Sequence, residues 1–159
     1  MGRLISSVDD FISLKGQELG VSKWIDITQD LIDNFGEVTD DHQWIHVNPQ
    51  MANEKSPFKS TIAHGYLTLS LLPCLLLDII ELHNLHHYVN YSIEKMVYKA
   101  VVPVGSRLRM RAFLKSAKDL GEICQAKIQC TFEIEGSDNP VLEGEIVFLY
   151  YFDSYYSKQ

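Results

Sequence analysis

The chain has 159 residues, enough for one domain whose folding buries roughly 68–70 % of the unfolded surface. Fourteen basic residues against 21 acidic ones give a net charge of −7 with no dense Lys/Arg block, which argues against a nucleic acid or an anionic membrane as main partner. Three cysteines, Cys74, Cys124 and Cys130, show no CxxC spacing and suggest neither a disulfide framework nor a zinc knuckle. The start "MGRLISSVDD" lacks the basic-then-apolar pattern of a secretory signal. The expectation is one domain over residues 1–159, in the reducing cytoplasm.

"SKWIDIT", from Ser22, reads as a short strand running into a helix capped by Thr28, with Asp30 in its first turn. Leu31, Ile32, Phe35 and Val38 fall on one face of that helix, and Gly36 weakens it by about 1 kcal/mol relative to alanine. Asn48 and Pro49 are suited to the N-cap and first position of a further short helix, "PQMANEKS".

Between these helices lies "DDHQWIHVNP", residues 40–49. Asp41 and His46 are five apart, about 140° around a helix axis, so they meet on one small molecule only if this stretch is a loop or a broken turn. His42 and His46, four apart, would share a helical face and suit a metal. Gln43, however, stands where the helical zinc-hydrolase motif has its glutamate, and His64 is the one conceivable third ligand. A polar corner with hydrogen-bonded histidines, an Asp/His acid–base pair and a metal site all remain open on these residues alone.

"IAHGYLTLSLLPCLLLDII", Ile62 to Ile80, has nearly spanning length but is interrupted by His64, Pro73 and Asp78. It reads as a helix buried inside a protein, apolar all round and bent near its middle by Pro73. His64 and Gly65 sit at its entrance, where backbone N–H groups have no helical partner. A glycine there lets a carbonyl approach a donor, or simply permits tight packing. His83, His86 and His87 in "LHNLHH" read as a solvated cap past the helix end.

From Tyr91 the period becomes two. Cys124, Ala126, Ile128, Cys130, Phe132 and Ile134 share one face of a strand, and Leu108, Met110, Ala112 and Leu114 one face of another. "PVGS", "DLG" and "GSDNP" supply turns, and "VLEGEIVFLYY" a last strand. Four consecutive strands plus an earlier one make an antiparallel sheet, and its apolar face matches the need of the apolar helix for cover, giving an α+β architecture of a sheet curled round a long helix. Arg107, Arg109 and Arg111 share the other face, either solvated or suited to phosphates.

"DHQWIHVNP", "PFKSTIAHGYLTLSLL" and "NYSIEKMVYKAVVPVGSRLRMRA", in that order, resemble the MaoC-like dehydratase family, which includes the (R)-specific enoyl-CoA hydratases and proteins resembling nodulation protein N. The resemblance runs from about Ser22 to Tyr151. It implies a hot-dog fold, a homodimer, and addition of water to a trans-2-enoyl-CoA to give an (R)-3-hydroxyacyl-CoA, or the reverse. By position, Asp41 and His46 become the catalytic pair and Gly65 the backbone donor; His64, Arg107 and Arg109 are expected to bind the substrate, a thioester of CoA or of acyl carrier protein. No metal and no other cofactor is implied. A hot-dog acyl-CoA thioesterase and a non-catalytic acyl-thioester-binding module are the alternatives. The chain departs from the family at Asp40, where glycine is common and where a buried second carboxylate would raise the pKa of Asp41. Ser70 and Pro73 occupy the stretch of the central helix where some members carry a hydroxyl residue.

Overall fold

The structure, a computed structural model, describes residues 2–153 except Glu122. The ends of the 1–159 span, Met1 and residues 154–159, lie outside the described residues. The elements run β1 (Arg3–Ile5), α1 (Val8–Ser13), β2 (Gln17–Val21), β3 (Ile25–Asp26), α2 (Gln29–Thr39), α3 (Trp44–Val47), α4 (Pro49–Lys55), α5 (Gly65–Ser70), α6 (Leu72–Ile79), β4 (Ile80–Leu82), β5 (Leu85–Tyr98), β6 (Arg107–Asp119), β7 (Ile123–Ile134) and β8 (Leu142–Phe152).

The main sheet is antiparallel throughout, in the order β2-β6-β7-β8-β5, with β3 also paired to β6. β1 and β4 form a separate parallel pair. The expected alternation is present: Leu108, Met110, Ala112 and Leu114 on β6 and Cys124, Ala126, Ile128, Cys130 and Phe132 on β7 are all buried. They share one core with Leu67, Leu72, Leu75, Leu76 and Ile79 of α5 and α6. Gly105, Gly121 and Gly136, one in each expected turn, adopt the positive φ that the turns require.

Residues 61–63 are extended, with Ala63 N–H donating to Val102 O at 2.8 Å and Val104 N–H to Thr61 O at 2.9 Å, and helix begins at Gly65, the entrance that the residues indicate. Past that entrance the apolar segment differs from the expectation in two ways. It is then broken at Leu71 rather than bent, because Pro73 has no N–H for a carbonyl four residues back. As the second residue of a new helix, Pro73 carries no such penalty. Finally, α5 and α6 are not covered all round: Tyr66, Cys74 and Leu77 are exposed.

The first of the four long strands, β5, starts at Leu85, well before Tyr91, so His86 and His87 are strand residues and not part of a helix cap. Chain neighbours β5 and β6 are not paired; β5 is an outer strand beside β8. A bulge between Glu94 and Val97 brings Met96 over Gly144, where a Cβ would lie 2.6 Å from the Met96 Cα. Beyond it, Tyr98 lays its ring against Gly65.

Candidate active site

α2 forms as expected, with Thr28 Oγ1 accepting from Leu31 N–H at 3.2 Å. Ile32 is buried, whereas Val38, in the last turn and past the core, is 85 % exposed. The face toward the site belongs to Gly36: a Cβ there would lie 3.1 Å from Asp41 O and 3.7 Å from His64 Cε1. Gly36 is therefore the residue that lets the following loop fold back onto the helix.

The helix stops at Asp40, which takes the left-handed conformation at φ 57°. Glycine is the usual residue in that conformation and aspartate a tolerated one, so a backbone requirement accounts for Asp40. The Asp40 side chain is 98 % exposed and faces His42 Nε2 at 3.4 Å, so it is no buried second carboxylate beside Asp41. His42, half-exposed, also approaches Glu37 at 3.6 Å. The loop separates it from His46, and the metal pairing of these two histidines does not form.

After that loop, α3 makes a single turn that buries His46, and Asn48 caps α4 by accepting from Met51 N–H at 2.9 Å. The loop-and-turn path brings together what a helix would have kept apart. Asp41, His46 and His64 each present one polar atom, all within 4.8 Å of one another. His46 Nδ1 lies 2.7 Å from Ile62 O. A carbonyl only accepts, so Nδ1 carries the hydrogen and Nε2 is left with its lone pair. Among the described residues the Asp41 carboxylate has only long contacts, to Gln43 at 3.4 and 3.5 Å. Burial holds the His46 imidazole below its ordinary pKa; the Ile62 carbonyl opposes this, His64 adds to it, and Asp41 opposes it.

His46, Gly65, Thr68, Tyr98, Val101 and Val141 line a cavity of about 150 Å³ with a mostly apolar wall. Gly65 is the first residue of α5, so its N–H has no intrahelical partner and carries the positive end of the helix dipole. A Cβ at Gly65 would lie 2.9 Å from Tyr98 Cε1, so any larger residue there must displace the Tyr98 ring. The arrangement offers two acceptors, His46 Nε2 and the Asp41 carboxylate, and a fixed donor at the helix entrance.

Two residues escaped the sequence reading. Gln29, the first residue of α2, donates through Nε2 to His46 O at 2.8 Å and to Asp33 Oδ1 at 2.7 Å, while Thr61 Oγ1 donates to its Oε1 at 2.5 Å. Thr68, rather than Ser70, is the buried hydroxyl of the central segment; Ser70 is exposed and bonds Tyr66 O. Its position three residues after Gly65, on the same helical face, was the available signal.

Of the expected substrate-binding residues, His64 joins the Asp41/His46 cluster and the two arginines do not. His64 is buried behind His46, off the cavity wall. Arg107 pairs with Glu135 at 2.9 Å, and Arg109 with Glu133 at 2.7 Å, on the face of β6 opposite Leu108 and Met110. Trp24 stacks under Arg109 at 4.3 Å. The structure brings neither arginine to the Asp41/His46 cluster.

An antiparallel sheet wrapped on a broken central helix, with its polar cluster at the helix entrance, defines a hot-dog-fold protein. Among solved structures, the unliganded R-hydratase PhaJ1 from Pseudomonas aeruginosa shares this fold, with TM-score 0.72 over 87 % of this chain and 82 % of that one at 16 % identity. The model of the MaoC like domain matches residues 10–131. A 3-hydroxyacyl-thioester dehydratase Z from Mycobacterium tuberculosis is 40 % identical over 149 residues, 93 % of this chain and 98 % of that protein. Nodulation protein N of Rhizobium leguminosarum bv. viciae is 38 % identical over 149 residues, 92 % of each. The chain belongs to the MaoC-like domain family.

Proposed function

We propose that this protein is a hydro-lyase, an (R)-specific enoyl-thioester hydratase that also runs the reverse dehydration of a 3-hydroxyacyl thioester. The observation that carries this reading is the convergence of Asp41 with His46, which lines an apolar cavity together with Gly65, the first residue of α5. The 3-hydroxyacyl-thioester dehydratase and R-hydratase relatives support it.

A water held about 2.8 Å from each acceptor bridges atoms separated by up to 4.8 Å. As its oxygen bonds the β-carbon, one water proton passes to the Asp41/His46 pair and the π electrons move onto the thioester oxygen. Gly65 N–H stabilises that enolate-like oxygen. The proton then returns to the α-carbon, and atoms balance without a redox partner or metal. A CoA or acyl-carrier-protein thioester is the substrate, and no further cofactor takes part.

The working form is a homodimer. β5 is an outer strand exposing Val89, Tyr91, Ile93, Val97 and Tyr98, an apolar edge that a folded protein ordinarily covers. Sedimentation is expected to show twice the chain mass; a monomer at micromolar concentration overturns this. No described helix is long and apolar enough to cross a membrane. The cytoplasmic location is proposed on the three cysteines, which form no pair.

The deciding experiment supplies purified protein with trans-2-enoyl-CoA and follows loss of the conjugated double bond, with chiral analysis of the product. Formation of the (R)-3-hydroxy product is expected. Release of free thiol without hydration points to a thioesterase instead, and binding with no turnover to a carrier module.

A further inference from the structure

His64 is 2 % exposed and forms no ion pair among the described residues, an uncommon condition for a histidine that does not itself meet the cavity. Its ring is held from three sides. Nε2 lies 3.0 Å from the backbone O of Asp41, so Nε2 carries the hydrogen and donates it. One face stacks on His46, with ring centroids 3.9 Å apart and planes inclined by 27°. Phe35 of α2 stands 5.1 Å from it. Nδ1 is buried and bonds to nothing among the described residues.

Asp41, His46 and His64 resemble a metal-binding triad in composition, but the stack argues against that use. A metal takes the in-plane lone pair of each imidazole, and two nearly parallel rings aim those lone pairs side by side rather than at one point. What the ring does reach is the main chain of one member of the acid–base pair and the face of the other.

We propose that His64 is a positioning residue, clamping the Asp41 backbone through Nε2–H while its ring braces His46, so that the carboxylate and His46 Nε2 face one water. This rests on the hydratase reading of the pair. Gly36 makes the clamp possible, since a side chain there would press on the same Asp41 carbonyl. His64 also biases the proton affinity of its neighbour downward, secondary to burial. The titratable groups around His46 are His64 before α5, Asp41 after α2, Asp33 reached through Gln29, and Tyr98 across the cavity.

The test compares His64→Gln and His64→Leu. Glutamine can place an amide donor near the position of Nε2, whereas leucine fills the space and donates nothing. His64→Leu is expected to lower kcat tenfold or more with KM changed less than about twofold, since misplacement acts on the reacting geometry rather than on binding. His64→Gln recovers most of kcat. In His64→Gln the His46 imidazole, followed by NMR, titrates at higher pH than in the wild type, and the acid limb of kcat/KM moves upward with it. Wild-type kcat in His64→Leu, a raised KM with unchanged kcat, or no recovery in His64→Gln overturns the proposal. If His64→Leu does not fold, His64→Gln with the His46 titration decides: an unmoved His46 also overturns it. A wild-type protein that hydrates no enoyl thioester defeats the functional reading separately, because the NMR arm needs no turnover.

Discussion

On the outer face of the sheet, Arg107, Arg109 and Arg111 each lie against a carboxylate, and Arg111 pairs with both Glu18 and Glu133. At the corner around His46, Asp41, His46 and His64 crowd within 4.8 Å, and among the described residues no ion pair joins them. The outer face holds more charge, but its charges saturate one another. The corner keeps capacity in reserve: a lone pair at His46 Nε2, a carboxylate with only long contacts, and a backbone N–H at the head of α5. Chemistry belongs where polar atoms are held in place but left unsatisfied.

That contrast fails if the corner proves dispensable. Asp41→Asn or His46→Gln is expected to lower turnover on an enoyl thioester by about a hundredfold or more, the scale of lost acid–base catalysis, with the fold intact by circular dichroism. Turnover near the wild-type level in both variants removes the corner from the mechanism. Gly36→Ala gives a smaller effect of about tenfold in kcat, because a Cβ at 3.1 Å from Asp41 O must push the Asp41 loop outward by a fraction of an ångström. Steady-state kinetics with a thermal melt separates this from unfolding.

Much of the fold was legible because it rests on local patterns. The alternation in β6 and β7, the caps at Thr28 and Asn48 and the glycine turns depend on neighbours in sequence, and all stand where the residues indicate. Five-residue spacing correctly demanded a broken helix between Asp41 and His46. What was not legible depends on residues far apart in the chain. Nothing local shows that Thr61 to Ala63, in the loop entering the helix, pair with residues 102–104. Gly36 read as a weak point in α2 because nothing local reveals that His64 and Asp41 pack against it. Asp40 read as a possible electrostatic partner, when its role is a backbone conformation. Gln29 gave no signal, since its partners, the carbonyl of His46 and the hydroxyl of Thr61, are 17 and 32 residues away.

The smallest expected effect tests the other side of the contrast. Arg109 was a candidate for meeting a substrate phosphate, but its guanidinium lies between Glu133 and the ring of Trp24. A partly exposed ion pair and a cation–π contact each stabilise by about 1 kcal/mol or less, so Arg109→Ala is expected to lower the melting temperature by roughly 2–4 °C. Because the residue stands on the face of β6 away from the core and the cavity, kcat and KM for a CoA thioester stay at their wild-type values. A several-fold rise in KM with kcat unchanged gives the opposite answer. It means that Arg109 leaves Glu133 when substrate arrives, and that the outer face is a binding surface whose ion pairs are exchanged rather than saturated.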